Sequence, residues 1–221
     1  MNIKKYEKLP KTFYTRDNVV SIARDLIGKL LVTDHNGIIT VGRIVETEAY
    51  NGRKDKACHA FLKRTKRTEV MYKAGGIAYV YLCYGIHHLF NIVTNKEGYA
   101  DAVLIRALEP LKGIEIMKSR RNLENVKFLT SGPGKLSSAM RIRKEDTGTD
   151  LTGNYIWIGS DAIQENPENI EVDRRINVDY AEEDALLPWR FFIKNSPFVS
   201  KKKQKHVDFN RFTNQGSETL D

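Results

Sequence analysis

The chain has 221 residues, with 36 Lys+Arg against 28 Asp+Glu and a formal net charge of +8 at pH 7. That length suits one large domain or two small ones, and it supports a core without staples. Two cysteines, Cys58 and Cys83, exclude a disulfide scaffold and any four-cysteine zinc module.

No stretch approaches the ~20 apolar residues that span a bilayer, and MNIKKYEKLPK has no apolar signal core. A cytoplasmic protein that does not enter a membrane is the expectation. The basic balance favours a polyanionic partner, although charge alone does not separate nucleic acid from plain solubility.

In chain order, Asp17 to Gly28 reads as a helix. Val19, Ile22, Ala23, Leu26 and Ile27 recur on one face, Asp17 caps the start, and Gly28 ends it. KLLVTD and IITVGRIVETEAY then flank Asn36-Gly37, which is the signature of a β-hairpin. A second β region runs from Ile77 to Thr94, broken at Tyr84-Gly85, and a third from Ala102 to Leu108. Pro110 opens a helix using Ile114 and Met117, and Pro133 opens another using Leu136, Ala139 and Met140. Further strands are expected at Tyr155–Ile158 and Arg190–Ile193. There is no βαβ rhythm, no repeat and no long linker. The expected fold is therefore mixed α+β: a single domain over residues 1–200 with a mainly antiparallel sheet and peripheral helices. The stretch 201–221 reads as a flexible polar tail.

Three segments could carry chemistry. Alternation along Glu46-Thr47-Glu48-Ala49-Tyr50 puts both carboxylates and Tyr50 on one face with Ile44. That face is either a solvated strand surface or a general base beside a flat aromatic wall, with neighbouring carboxylates resisting double ionisation. Tyr79, Tyr81 and Cys83 share a face, which is ordinary in strands, whereas Tyr84 at a hairpin tip wastes apolar area unless it inserts into something such as stacked bases. Residues 53–73 carry eight Lys/Arg against Asp55 and Glu69, which makes either a solvated loop or an edge for binding a phosphate backbone. His59 lies within that run, and the five histidines form no metal-binding set. Ser131-Gly132-Pro133-Gly134-Lys135-Leu136 is a tight turn into a helix N-terminus, either a plain helix start or a phosphate seat.

The ordered strings GRIVETEAY (42–50), RTKRTEVMY (64–72), YVYLCYGIHHLFNIVT (79–94), VLIRALEP (103–110), SGPGKL (131–136) and SPFVS (196–200) resemble the alkyladenine (3-methyladenine) DNA glycosylase family. This is the type without a helix-hairpin-helix, and the likeness covers most of Thr12 to Ser200. It implies a curved, open-barrel-like antiparallel sheet. It also implies a monomeric enzyme without metal or cofactor that hydrolyses the N-glycosidic bond of damaged purines in double-stranded DNA and does not cut the strand. The damaged purines would be 3-methyladenine and 7-methylguanine, with hypoxanthine less favoured. Carried over, Glu48 is the carboxylate that activates water and Arg106 helps to hold that water. Tyr50 stacks on one face of the flipped base, with His59 and Tyr81 on the other. Asn91 is the pocket-floor residue that rejects the guanine amino group, Tyr84 fills the gap in the duplex, and Arg64, Thr65, Arg67 and Met71 meet the DNA backbone.

The physics is compatible with those roles. Flipping a base costs a few kcal/mol, and aromatic stacking at ~1–3 kcal/mol per contact offsets it. A cationic alkylated purine is drawn to tyrosine rings and is a ready leaving group. No lysine matches a Schiff-base position, so strand cleavage is disfavoured. Cys83 is expected to be a small buried apolar residue. Two rivals remain open at this stage. A non-catalytic nucleic-acid binder would leave Glu48 idle, and a small-molecule hydrolase would leave the basic loop without use.

Overall fold

The apolar runs form nine strands, joined by four α-helices and short 3-10 turns, in a computed structural model that describes residues 6–61, 63–161, 163 and 165–200. The first half contains β1 (Glu7–Lys8), α1 (Lys11–Tyr14), α2 (Val19–Asp25), β2 (Leu30–His35), β3 (Ile38–Tyr50), β4 (Ile77–Cys83) and β5 (His87–Thr94). After these come β6 (Asp101–Lys112), α3 (Ile114–Arg121), α4 (Pro133–Met140), β7 (Ile156–Ser160), β8 (Ile170–Asp173) and β9 (Arg190–Ile193). The expected tail, 201–221, lies outside the described residues.

The sheet is antiparallel, ordered β1-β7-β2-β3-β6-β5-β4, and β3 is its spine. Strand β6 follows one edge of β3, while the other edge is shared by β2 up to Arg43 and by β9 from Glu46 to Glu48. The result is a single mixed α+β domain built on a curled half-barrel, as expected. Alternation with period two sorts the residues onto two faces. Ala78 and Val80 of β4, Phe90 and Ile92 of β5, and Val103 and Ile105 of β6 share the main core with Ile22, Met117, Leu136 and Met140 of the helices. Each large apolar side chain buried there contributes roughly 1.5–3 kcal/mol. The intervening Tyr79, Tyr81, Asn91, Leu104 and Arg106 face the other way and line a cavity.

Alternation fails at one place that matters. Register shifts flank Glu46, so that Val45 is extra on β3 and Arg106 is extra on β6. A bulge re-aims the side chains on either side of it. Ile44 consequently packs in the helix-side core with Ala49, and it does not share the face of Glu46, Glu48 and Tyr50.

Other expectations shift by a few residues. The cap of α2 is Asn18 and not Asp17: its side-chain oxygen accepts from the backbone N–H groups of Val20 and Ser21 at 3.0 Å each. Pro110 does not open a helix. It sits inside β6 opposite Gly42, beside a register shift where its missing N–H is tolerated, and α3 starts four residues later at Ile114. Asn36 and Gly37 both have positive φ, as the predicted hairpin requires.

Candidate functional site

Glu48 is fully buried, opposite Leu104 of β6 and Arg190 of β9. A buried carboxylate stays charged only where donors replace its lost water. Three do so here. Its Oε2 accepts from the Tyr50 hydroxyl at 2.7 Å and from Arg106 Nη1 at 3.2 Å, and its Oε1 accepts from the backbone N–H of Ile176 at 2.8 Å. A carboxylate offers about four acceptor positions, so three donors do not exhaust it.

Glu46 is fully buried too, which removes the solvated-face reading of this strand. Its Oε1 accepts from Arg106 Nε at 3.0 Å, Arg190 Nε at 2.7 Å and the Ser200 hydroxyl at 2.9 Å, and its Oε2 from the Ser200 backbone N–H at 2.8 Å. The repulsion expected between the two carboxylates is met by the guanidinium that bridges them. For Arg106 itself, burial alone would lower the pKa, but Glu48 and Glu46 hold it above its ordinary value. The two glutamates thus differ in kind: Glu46 anchors the sheet, while Glu48 is tied to the wall of the cavity through Arg106 and Tyr50.

That cavity holds about 590 Å³, within the usual range for small-ligand sites. Tyr50, His59, Tyr81, Asn91 and Arg106 all line it, whereas Glu48 lies behind its wall, hydrogen-bonded to Tyr50 and Arg106. Burial, and then the charge of Glu48, push the Tyr50 hydroxyl well above its ordinary pKa, so it remains a donor. The ring is backed by the guanidinium of Arg175, 4.8 Å from its centre, and Arg175 is itself buried against Asp55 and donates to Ala49 O at 3.0 Å.

Opposite elements supply the other aromatics. His59 Nδ1 lies 3.0 Å from the Tyr79 hydroxyl, and its ring meets Tyr81 edge-on at 4.5 Å. Burial, helped by the charge of Arg67, lowers the pKa of His59 to about 4, so it is neutral near pH 7. Asn91 donates its amide hydrogens to Tyr79 O and Leu89 O at 3.1 and 3.2 Å, which leaves its carbonyl end as the group it can offer the cavity.

At the rim, Tyr84 is 85% exposed with φ 51, and Gly85 follows with φ 72. A bulky residue in the left-handed region is an outlier that costs on the order of 1–3 kcal/mol. Ile86, 72% exposed, sits beside it and was not singled out in the sequence. Cys83 is only half-buried and borders the cavity mouth, contrary to expectation, because it adjoins this exposed tip. Buried Cys58 instead has its thiol pushed up to about 12 by desolvation.

The basic run is not one uniform surface. Arg53 pairs with Asp101, Lys56 with Glu182, and Arg64 with Glu69. Arg64 and Thr65 are exposed, Arg67 reaches the cavity wall, and the Met71 side chain is buried behind it. The Gly132–Lys135 turn also borders the cavity mouth.

The missed participants come from the C-terminal third: Arg175, the N–H of Ile176, Arg190 and Ser200. Arg190 falls within an expected strand and Ser200 within a noted string, but neither carried a signal of its role.

Comparison with known proteins adds to this geometry. The profile described as methylpurine-DNA glycosylase matches residues 12–197. A relative from Natranaerobius thermophilus is 50% identical over 196 residues, covering 87% of this chain and 98% of its own. Another from Alkaliphilus oremlandii is 47% identical over 206 residues, covering 88% and 100%. One from Methanocella arvoryzae is 48% identical over 197 residues, covering 88% and 96%. All three are provisionally named 3-methyladenine DNA glycosylases.

Proposed function

The chain belongs to the methylpurine-DNA glycosylase family of DNA repair enzymes, and from that membership we propose that it hydrolyses the N-glycosidic bond of alkylated purines flipped out of duplex DNA. Its substrates in this reading are 3-methyladenine first, then 7-methylguanine, with hypoxanthine a poorer one, and the product is an abasic site in an uncut strand. The observation that carries the proposal is Glu48, fully buried yet held by Arg106 and Tyr50 at an aromatic cavity beneath the exposed Tyr84 tip.

Glu48 acts as general base. It takes a proton from a water steadied with the help of Arg106 while the water oxygen bonds to the anomeric carbon. The C1′–N bonding electrons pass to the purine, which leaves neutral if it began as a cation. Tyr50 stacks on one side of the base, with Tyr81 and His59 on the other. Because His59 is neutral near pH 7, it adds no charge that would repel a cationic purine. Asn91, its amide hydrogens held by Tyr79 O and Leu89 O, forms the floor and rejects the guanine amino group. Tyr84 fills the gap left in the stack, and the Arg64–Arg67 edge, with Thr65 on it and Met71 beneath it, meets the backbone.

The test is to incubate the protein with methylated duplex DNA in EDTA and to chromatograph the released purines. Free 3-methyladenine is expected, with strand breaks only after alkali. No free base at any enzyme excess would overturn the catalytic reading, and breaks without alkali would overturn the uncut-strand product.

A further inference from the structure

Beside the hairpin tip, outside the cavity just described, lies a second cleft of about 620 Å³. Arg120 and Arg121 of α3, Arg141 and Arg143 after α4, and His87 and His88 of β5 line it. Four arginines thus converge on one wall, and no carboxylate among the described residues lines it; Arg120 donates to Ala139 O at 2.9 Å, while Arg141 and Arg143 are exposed. Of the two acidic residues just after Arg143, Glu145 is exposed and does not line the cleft, and Asp146 is occupied by the backbone N–H of Arg143 at 2.7 Å and the Tyr155 hydroxyl at 3.1 Å. The strain shows on Arg120, whose pKa is lowered by burial and by the charge of Arg141. In addition, the buried Nε of Arg121 has no hydrogen-bond partner among the described residues. His88 accepts the Lys144 backbone N–H on Nδ1 at 3.1 Å, which leaves Nε2 as a further donor.

We propose that this cleft is a second phosphate-binding site, which holds the DNA backbone next to the inserted tip. The proposal rests on the functional reading above, in that DNA is the ligand. Continuity favours a DNA strand over a free nucleotide. Ile86 belongs to both the cleft and the tip, and His87 and Gly134 line both the cleft and the cavity mouth. Helix α4 approaches β5 so closely there that a Cβ on Gly134 would stand 3.0 Å from that of His87, so the two sites share one wall. Neither a tyrosine, a tryptophan nor a phenylalanine lines the cleft to stack a base, and no carboxylate is there to bind a ribose. Arginine suits phosphate through its planar fork of donors.

The experiment measures binding of a labelled undamaged duplex from about 50 to about 200 mM salt, where log K falls by about 0.9 per phosphate contact for each unit of log salt. Arg141 and Arg143 are exposed, so the double variant Arg141→Gln/Arg143→Gln should melt like the parent. Its slope should be shallower by about 2, and that of Arg143→Gln alone by about 1. The charge-matched pair Arg24→Gln/Lys29→Gln should leave the slope unchanged.

An unaltered slope in the first double variant, or an equal drop in the charge-matched pair, overturns the proposal. So does protection of the parent, but not the variant, against thermal unfolding by deoxyadenosine monophosphate without a change in DNA slope. In that case the cleft holds a free nucleotide. Purine release by the parent is assayed in parallel. A shallower slope without any release would sink the glycosylase reading and leave the phosphate site standing.

Discussion

A buried carboxylate loses the water that solvates it, and the donors that replace that water decide what it can still do. Glu48 and Glu46 are equally buried and two residues apart, but their donors differ. Glu46 takes four donors, three of them on Oε1 and all from Arg106, Arg190 and Ser200, whereas Glu48 takes three, two of them from the cavity-lining Tyr50 and Arg106. Glu48→Gln keeps the shape but not the basicity, so single-turnover purine release should fall ~10²-fold or more while lesion-DNA binding is retained. Glu46→Gln should instead lower stability by ~1–3 kcal/mol, because Arg106 and Arg190 lose their shared counter-charge inside the sheet while keeping Glu48 and Asp173. Urea melts read the second effect, and near-equal rates for parent and Glu48→Gln would reassign the base. His59 gives a pH signature at this same scale. Its folded pKa of about 4 lies below its unfolded value, so between about 6.5 and about 4 the unfolded state takes up the proton first. Stability is therefore complete above about 6.5 and falls as the pH drops through that window. At ~1.4 kcal/mol per unit the loss reaches a few kcal/mol. Melts of His59→Gln over the same window should be flatter than those of the parent, and parallel curves would contradict the burial argument.

The β4–β5 hairpin shows what one element can store. Cys83 O accepts from Ile86 N at 3.2 Å across Tyr84-Gly85, and both turn residues have positive φ. Glycine takes that conformation without penalty, but tyrosine does not. Tyr84→Gly should therefore raise stability by on the order of 1 kcal/mol, seen as a higher melting temperature. The same change should weaken capture of a lesion duplex, since the apolar wedge is gone. A variant that is both more stable and as good at lesion capture would remove the tip from the mechanism. The hairpin was legible in the sequence because a Tyr-Gly step broke an otherwise continuous β run. The bulges around Glu46 were not legible. An extra residue on each strand comes from pairing β3 with β6, some sixty positions away, and neither strand alone records it. Pro110 misled for a related reason: its usual meaning as a helix opener was overridden by a register shift that tolerates it within β6.

At the scale of the whole molecule, the site is assembled from two parts of the chain with very different legibility. The stretch from Glu46 to Arg106 announced itself through unusual strings of carboxylates, tyrosines and basic residues. The later part did not, because Ile176 contributes a backbone N–H and Arg175 acts through contacts 120 or more residues away. Those contacts make one ion pair a joint between the halves. Arg175 binds Asp55, the main chain at Ala49 and Asp184, and the faces of Tyr50 and Trp189. Its neighbour Ile176 then presents its N–H to Glu48. Asp55→Asn would leave the guanidinium buried without its counter-charge, at a cost of ~3–5 kcal/mol. Replacing both partners, as Asp55→Asn/Arg175→Met, removes the stranded charge and should recover most of that stability. It cannot restore the cation behind Tyr50 or the anchor beside Ile176. Purine release at saturating DNA should therefore stay depressed in the double variant while its melting temperature returns toward that of the parent. A stability change below about 0.5 kcal/mol in Asp55→Asn would deny the pair its structural part, and full recovery of the rate in the double variant would deny it any part in positioning Tyr50 and Glu48.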